Sequence, residues 1–78
     1  MSKYRKKPVV IDAVQWNSYG DAPIWAQPHL TEHPDCCSIE TLEGTMRCNP
    51  TDWILKGVNG EIYPCKHEIF IKTYEPAN

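Results

Sequence analysis

Residues 45–74 of the chain, TMRCNPTDWILKGVNGEIYPCKHEIFIKTY, carry its clearest fold signal. Asn59-Gly60 lies between two short runs of apolar, strand-forming residues. An Asn-Gly pair in that setting predicts a two-residue type I′ turn, in which both central residues need a positive φ. The stretch therefore predicts a tight antiparallel hairpin.

The register of this hairpin decides which side chains share a face of the sheet. A two-residue turn puts Trp53, Leu55 and Ile62 on one face, which we expect to be core. The opposite face then contains Lys56 opposite Tyr63 and is mixed in character.

Turn signals recur about every ten residues along the chain, a spacing typical of short antiparallel strands. Strands are predicted at residues 7–16, 36–42, 45–48, 53–58, 61–65 and 71–75. A short helix near residues 22–27 follows Asp21 as N-cap and is ended by Pro28. Residues 27–34 are predicted to be a mobile loop, and residues 67–70 a single helical turn.

These elements predict an α+β fold. We expect about five to six short strands in one small, strongly curled antiparallel sheet that closes towards a barrel, with the short helix on it. The first strand is apolar on both faces, which predicts that it is central or covered by a helix on one side. At 78 residues the chain is expected to form a single domain, residues 1–78.

The net charge and the hydropathy of the chain disfavour several classes of function. The formal net charge is −2, which disfavours the many phosphate contacts of nucleic-acid binding. The basic cluster of Lys3, Arg5, Lys6 and Lys7 is interpreted as a solvated lead-in to the first strand. No apolar run is long enough to cross a membrane, and the N-terminal segment is too short and polar for a signal peptide. We therefore expect a cytoplasmic protein with four reduced cysteines.

Two blocks of sequence together resemble a known group of proteins. They are residues 4–16, YRKKPVVIDAVQW, and residues 41–75, from TLEGTM through DWILKGVNGEIYPCK to TYE. The chain resembles small proteins of tailed bacteriophages and prophages related to the PGDYG family. The resemblance implies an accessory, non-structural role in the cytoplasm of a bacterial host, and it carries no activity. Where that family has Pro-Gly-Asp before an aromatic residue, this chain has Pro50-Thr51-Asp52.

A metal site is the first alternative for the cysteines. Cys48, Cys65 and His67 are the ligand types that zinc prefers, with His33 or Cys36 as a fourth. However, structural zinc sites usually have two cysteines separated by two to four residues, and this chain has no such pair. We therefore predict a protein without metal or other cofactor, whose cysteines pack as small apolar residues.

A binding surface is favoured over a metal site. Lys56, Tyr63 and Arg47 could combine charge and aromatic stacking on the mixed face, which suits a nucleotide. The alternative, which the residues favour more, is an ordinary half-solvated face of a sheet. Trp16 and Trp25 are interpreted first as core residues, although Trp25, on the short helix, could instead anchor a partner.

Two functions follow, and enzyme activity ranks below both. The first is a binding module that holds a host protein or a second copy of itself. We expect a homodimer, because a core this small cannot bury all eight aromatic residues and apolar surface should therefore remain exposed. The second is sequestration of a nucleotide used in bacterial defence signalling.

Overall fold

A computed structural model describes residues 2–4 and 9–77 of the chain. Most of the basic cluster, Arg5, Lys6 and Lys7, lies outside the described residues, as does the predicted start of the first strand. Within these described residues the chain forms six strands and two short helices. The strands are β1 (Asp12–Gln15), β2 (Leu30–Glu32), β3 (Cys37–Thr41), β4 (Gly44–Cys48), β5 (Trp53–Lys56) and β6 (Ile62–Cys65). A 3₁₀ helix spans Ile24–His29, and α1 spans His67–Thr73.

The strands form two antiparallel three-stranded sheets, in the orders β1-β5-β6 and β2-β3-β4. Neither sheet is closed or strongly curled, so the barrel-like single sheet expected from the sequence is not supported. Two local features separate the sheets. The unpredicted strand β2 gives β3 a second neighbour, and the turn at residues 49–52 carries the chain from β4 in one sheet to β5 in the other. Strand β1 is an edge strand, and the central position is taken by β5.

The β5–β6 hairpin has a different turn from the one predicted. Gly57 donates its N–H to the Glu61 carbonyl at 2.9 Å, and Gly60 donates to the Gly57 carbonyl at 3.0 Å. Gly60 has a φ of +85°, whereas Asn59 has no positive φ. This pattern is a three-residue loop with a glycine bulge. The type I′ prediction was therefore wrong by one residue, although the hairpin itself is confirmed.

That one residue moves every side chain of β6 to the opposite face. Lys56 is paired with Ile62, and Leu55 with Tyr63. Ile62 therefore lies on the face of Ile54, and the predicted grouping of Ile62 with Trp53 and Leu55 is wrong.

The core lies between the two sheets and beneath the 3₁₀ helix. Its buried members come from both sheets and from the segment after β1: Trp16, Ala22, Ala26, Cys37, Ile39, Cys48, Ile54 and Ile62. Trp25 and Leu30 are half-buried against this cluster. The other face of the β1-β5-β6 sheet carries Leu55, which is also buried, and is covered by α1. The protein thus has three layers, α1, one sheet and then the other.

Glu32 fixes the segment between β1 and the 3₁₀ helix. One oxygen of its carboxylate accepts hydrogen bonds from Trp16 Nε1 at 2.7 Å, Gly20 N at 2.9 Å and Ala22 N at 3.1 Å. These bonds place Trp16 in the core. The residues predicted to be a mobile loop therefore contain an ordering side chain and strand β2.

The two helices depart from their predicted bounds. The early helix is a 3₁₀ helix displaced from residues 22–27 to Ile24–His29, and Pro28 lies inside it. Asp21 does not cap this helix, because its carboxylate accepts the N–H groups of Asn17 and Ser18. The predicted last strand, residues 71–75, is wrong, because α1 continues to Thr73. Neither helix among residues 2–4 and 9–77 has the length and apolar character needed to cross a membrane.

Candidate binding groove beside helix α1

Helix α1 is held to the sheet by aromatic side chains. It has seven residues and no buried one, and a helix this short is unstable by itself. The Phe70 ring stacks on Trp53 of β5 with a centroid distance of 3.9 Å and an interplanar angle of 10°. Tyr74 then lies against Phe70 at 5.2 Å. The helix is therefore positioned through an aromatic stack on the outer face of the sheet.

Polar contacts also orient the side chains around this aromatic stack. Trp53 Nε1 donates a hydrogen bond to His67 Nδ1 at 3.1 Å, and Gln15 Nε2 of β1 lies 3.4 Å from the same nitrogen. Burial, and then a hydrogen bond with Tyr74, raises the pKa of Tyr63 to about 12. Polar contacts thus join the N-terminal end of α1 to β1 and β5, and Tyr74 after its C-terminal end lies close enough to Tyr63 of β6 to affect its pKa.

An apolar groove of about 670 Å³ runs between this helix and the segment before β1. We call it the apolar groove. It is lined by the segment before β1, the aromatic stack and the C-terminal segment: Val9, Val10, Ile11, Ala13, Trp53, Phe70, Ile71, Tyr74, Glu75, Pro76 and Ala77. Glu75 is the one charged residue among these. Such a lining favours contact with apolar groups over recognition of a charged ligand.

The rim of the groove exposes large apolar side chains. Val10 is 78% exposed and Ile71 is 58% exposed. Both residues line the groove, and exposed apolar side chains grouped in this way are typical of an interaction site. The patch therefore combines projecting aliphatic side chains with a concave aromatic floor.

A second hollow lies between the ends of the two hairpins. Leu42, Met46 and Tyr63 line it, together with His29 and with residues of the two turns. Glu43 and Glu61 also line it, so it carries more charge than the apolar groove. It contains no aromatic stack, and we regard it as the less suitable binding surface.

The structure separates the residues predicted for a nucleotide. Lys56 and Tyr63 lie on opposite faces of the β5–β6 hairpin because of the three-residue turn. Arg47 is on β4 in the other sheet, opposite Ser38, and its Nε donates to Asn49 Oδ1 at 2.6 Å. Trp25 is half-buried against the core. These four side chains are therefore not assembled into one mixed surface.

The predicted metal ligands are also dispersed. Cys48 is buried between the sheets, whereas Cys65 lies on the face of the first sheet that carries Trp53. His67 is engaged with Trp53. Within the described part of the chain, no group of three or more His, Cys, Asp or Glu side chains could hold a metal ion.

Sequence reasoning missed the residues that form the groove, although a signal for them is present. His67, Phe70, Ile71 and Tyr74 are spaced i, i+3, i+4 and i+7, the pattern of one face of an α-helix. The β-branched residues in this stretch favoured a strand instead.

Comparison with known proteins adds no relative. No protein-family model, curated protein or solved structure matches this chain.

Proposed function

We propose that this protein is a non-enzymatic binding module, and that its apolar groove binds a second copy of the same chain. The observation that carries the proposal is the single patch that contains both the aromatic floor, Trp53 and Phe70, and the projecting side chains of Val10 and Ile71. A two-fold contact uses the same patch on both partners, so the patch must be complementary to itself.

The chemistry of the patch supports a copy of itself as the occupant. Apolar side chains of two copies can pack together without charge repulsion. Among the lining residues that the structure describes, Glu75 is the one charged group. Full burial of an isoleucine side chain contributes about 1.5–3 kcal/mol. Covering the 58% of Ile71 that is exposed therefore contributes about 1–2 kcal/mol in each of the two copies.

A host protein is the other occupant consistent with an accessory role. The resemblance to phage proteins related to the PGDYG family, on which the bacterial cytoplasmic setting depends, remains a hypothesis. The nucleotide alternative also remains a prediction, but its residues no longer share a surface.

Sedimentation velocity with two matched variants tests the proposal. Ile71→Glu puts a charge into the groove, whereas Leu42→Glu puts the same charge on a fully exposed aliphatic residue at the β3–β4 turn, outside the groove. At micromolar concentration we expect wild type and Leu42→Glu to sediment near 18 kDa, twice the 9.0 kDa chain mass. Ile71→Glu should weaken the dimer by roughly 30-fold or more, since two copies lose about 2–4 kcal/mol together.

Two outcomes would overturn self-association through the groove. One is a wild-type protein that remains near 9 kDa at every concentration, which would turn attention to a different protein as the occupant. The other is a dimer that Leu42→Glu disrupts and Ile71→Glu does not. Circular dichroism and tryptophan fluorescence would establish that both variants are folded.

A further inference from the structure

Cys37 and Cys48 face each other in the core. Cys37 on β3 is directly opposite Cys48 on β4, and both side chains are fully buried. Residues directly opposite in an antiparallel pair have Cα atoms about 4.5–5.5 Å apart. Disulfides span Cα distances of about 4.4–6.8 Å. The backbone of this pair is therefore already spaced for a disulfide bond.

Each thiol also shifts the pKa of the other. Burial is the largest cause that raises the pKa of both, and the interaction between the two side chains lowers the pKa of Cys37 while it raises that of Cys48. Cys37 is thus the better candidate for the first thiolate of the pair. All four cysteines are free thiols in the structure.

The other two cysteines are placed less favourably. Cys36 adjoins Cys37 in sequence and precedes β3. Cys65 is paired with Trp53 on the face of the first sheet that turns away from the core. The β1-β5-β6 sheet therefore lies between Cys65 and the Cys37–Cys48 pair.

We propose that Cys37 and Cys48 are a disulfide-forming site, oxidised by a low-molecular-weight disulfide such as oxidised glutathione. The Cys37 thiolate attacks one sulfur of glutathione disulfide, which breaks that S–S bond and releases one glutathione thiol. The Cys48 thiolate then attacks the Cys37 sulfur of the mixed disulfide and releases the second glutathione. The protein loses two hydrogens, which leave on the two glutathione thiols, so the protein is oxidised and the glutathione disulfide is reduced.

Burial of both thiols should make oxidation of this pair slow. A fully buried thiol must be uncovered before it can react, because exchange needs an accessible thiolate. β4 is an edge strand, so local opening of this strand is the expected route. Mild urea should therefore accelerate the reaction of the pair, whereas the partly exposed Cys65 should react first without urea.

Peptide mapping of the wild type and of Cys36→Ser together identifies the bridge. The folded protein is incubated with oxidised glutathione, its remaining thiols are blocked, and it is digested with trypsin. Cleavage after Arg47, Lys56 and Lys66 separates three peptides, residues 7–47 with Cys36 and Cys37, residues 48–56 with Cys48, and residues 57–66 with Cys65. We expect residues 7–47 to be linked to residues 48–56. The same link should form in Cys36→Ser.

Stability gives a second readout. A disulfide between Cys37 and Cys48 closes the short loop that contains the β3–β4 turn. It should therefore raise the melting temperature by about 5–15 °C, and reduction should reverse the rise. The proposal is overturned by a link to residues 57–66, by loss of the link in Cys36→Ser, by glutathione adducts alone, or by a lower melting temperature of the linked form. Cys36→Ser keeps both proposed sulfurs, so the test does not depend on removing a core thiol.

Discussion

Thr51 adopts a backbone conformation that suits glycine. It has a φ of +79°, and Asp52 donates its N–H to the Asn49 carbonyl at 3.0 Å. These values describe a type II turn with Pro50 and Thr51 as its central residues. A β-branched side chain at this turn position is strained, because its Cβ lies too close to the backbone. Thr51 therefore occupies a position whose positive φ favours glycine.

Hydrogen bonds hold the strained residue in place. Thr51 N donates to the Trp16 carbonyl at 2.9 Å, and Trp16 N donates to the Asp52 carbonyl at 2.8 Å. Gln15 Nε2 donates to the Thr51 carbonyl at 2.9 Å. Each of these bonds uses the backbone of Thr51 or of its neighbour, and the Thr51 side chain is exposed. Thr51→Gly should therefore remove the strain and leave the bonds intact.

The net effect of Thr51→Gly follows from two opposing terms. Relief of the left-handed strain contributes about 1–2 kcal/mol, and the greater freedom of glycine in the unfolded chain costs about 0.4–1 kcal/mol. We expect a net stabilisation of about 1 kcal/mol, which corresponds to a melting temperature higher by about 4–8 °C. Urea and thermal unfolding followed by tryptophan fluorescence measure both quantities.

Thr31→Gly is the matched control. Thr31 is also exposed, but it lies in β2, where glycine should destabilise the protein by about 0.5–1 kcal/mol. If Thr51→Gly is as destabilising as Thr31→Gly, the assigned strain at residue 51 is incorrect.

Three further predictions concern other contacts. Gly60→Val should destabilise the protein by about 1–3 kcal/mol and Asn59→Ala by less than about 0.5, since only the first needs a positive φ; similar losses in urea unfolding would favour the type I′ turn instead. Glu32→Ala should cost about 2–4 kcal/mol and Glu32→Gln clearly less, because glutamine keeps an acceptor oxygen; equal unfolding midpoints would contradict this role. The raised pKa of Tyr63, about 12, favours the folded state below pH ~10, and this contribution is lost as the pH rises towards 12. Tyr63→Phe should therefore reduce the loss of stability at alkaline pH. A variant whose urea midpoint depends on pH in the same way as the wild type would argue against it.

The sequence was sufficient for the local elements that have strong turn signals. The β3–β4 and β5–β6 hairpins and their approximate bounds were predicted, since glycine and alternating apolar residues determine both. The core position of Trp16 was also correctly interpreted. These features depend on residues close together in the chain.

The predicted nucleotide site depended on the pairing register of the β5–β6 hairpin, and local sequence signals did not determine that register. Asn59-Gly60 favours a type I′ turn, but the chain uses Gly60 as the left-handed residue of a longer loop. Because the side-chain period of a strand is two, this difference of one residue separated Lys56 from Tyr63. The predicted nucleotide surface was therefore lost together with the register.

Tertiary packing decided the remaining differences. Residues 71–75 contain β-branched and aromatic residues that favour a strand, but stacking of Phe70 on Trp53 stabilises a helix through Thr73. Strand β2 is short, and its pairing with β3 and the Glu32 carboxylate give it order that its sequence does not indicate. Such contacts join residues distant in the chain and are not visible as a local pattern.

Contacts between two copies of the chain test the central proposal most directly. An isotope-filtered nuclear Overhauser experiment on a mixture of labelled and unlabelled protein detects only intermolecular proximity. We expect cross-peaks from the Ile71 and Val10 methyl groups of one molecule to the Trp53 and Phe70 rings of another. Intermolecular cross-peaks confined to Leu42 and the hairpin turns, or none at micromolar to millimolar concentration, would contradict binding through the apolar groove.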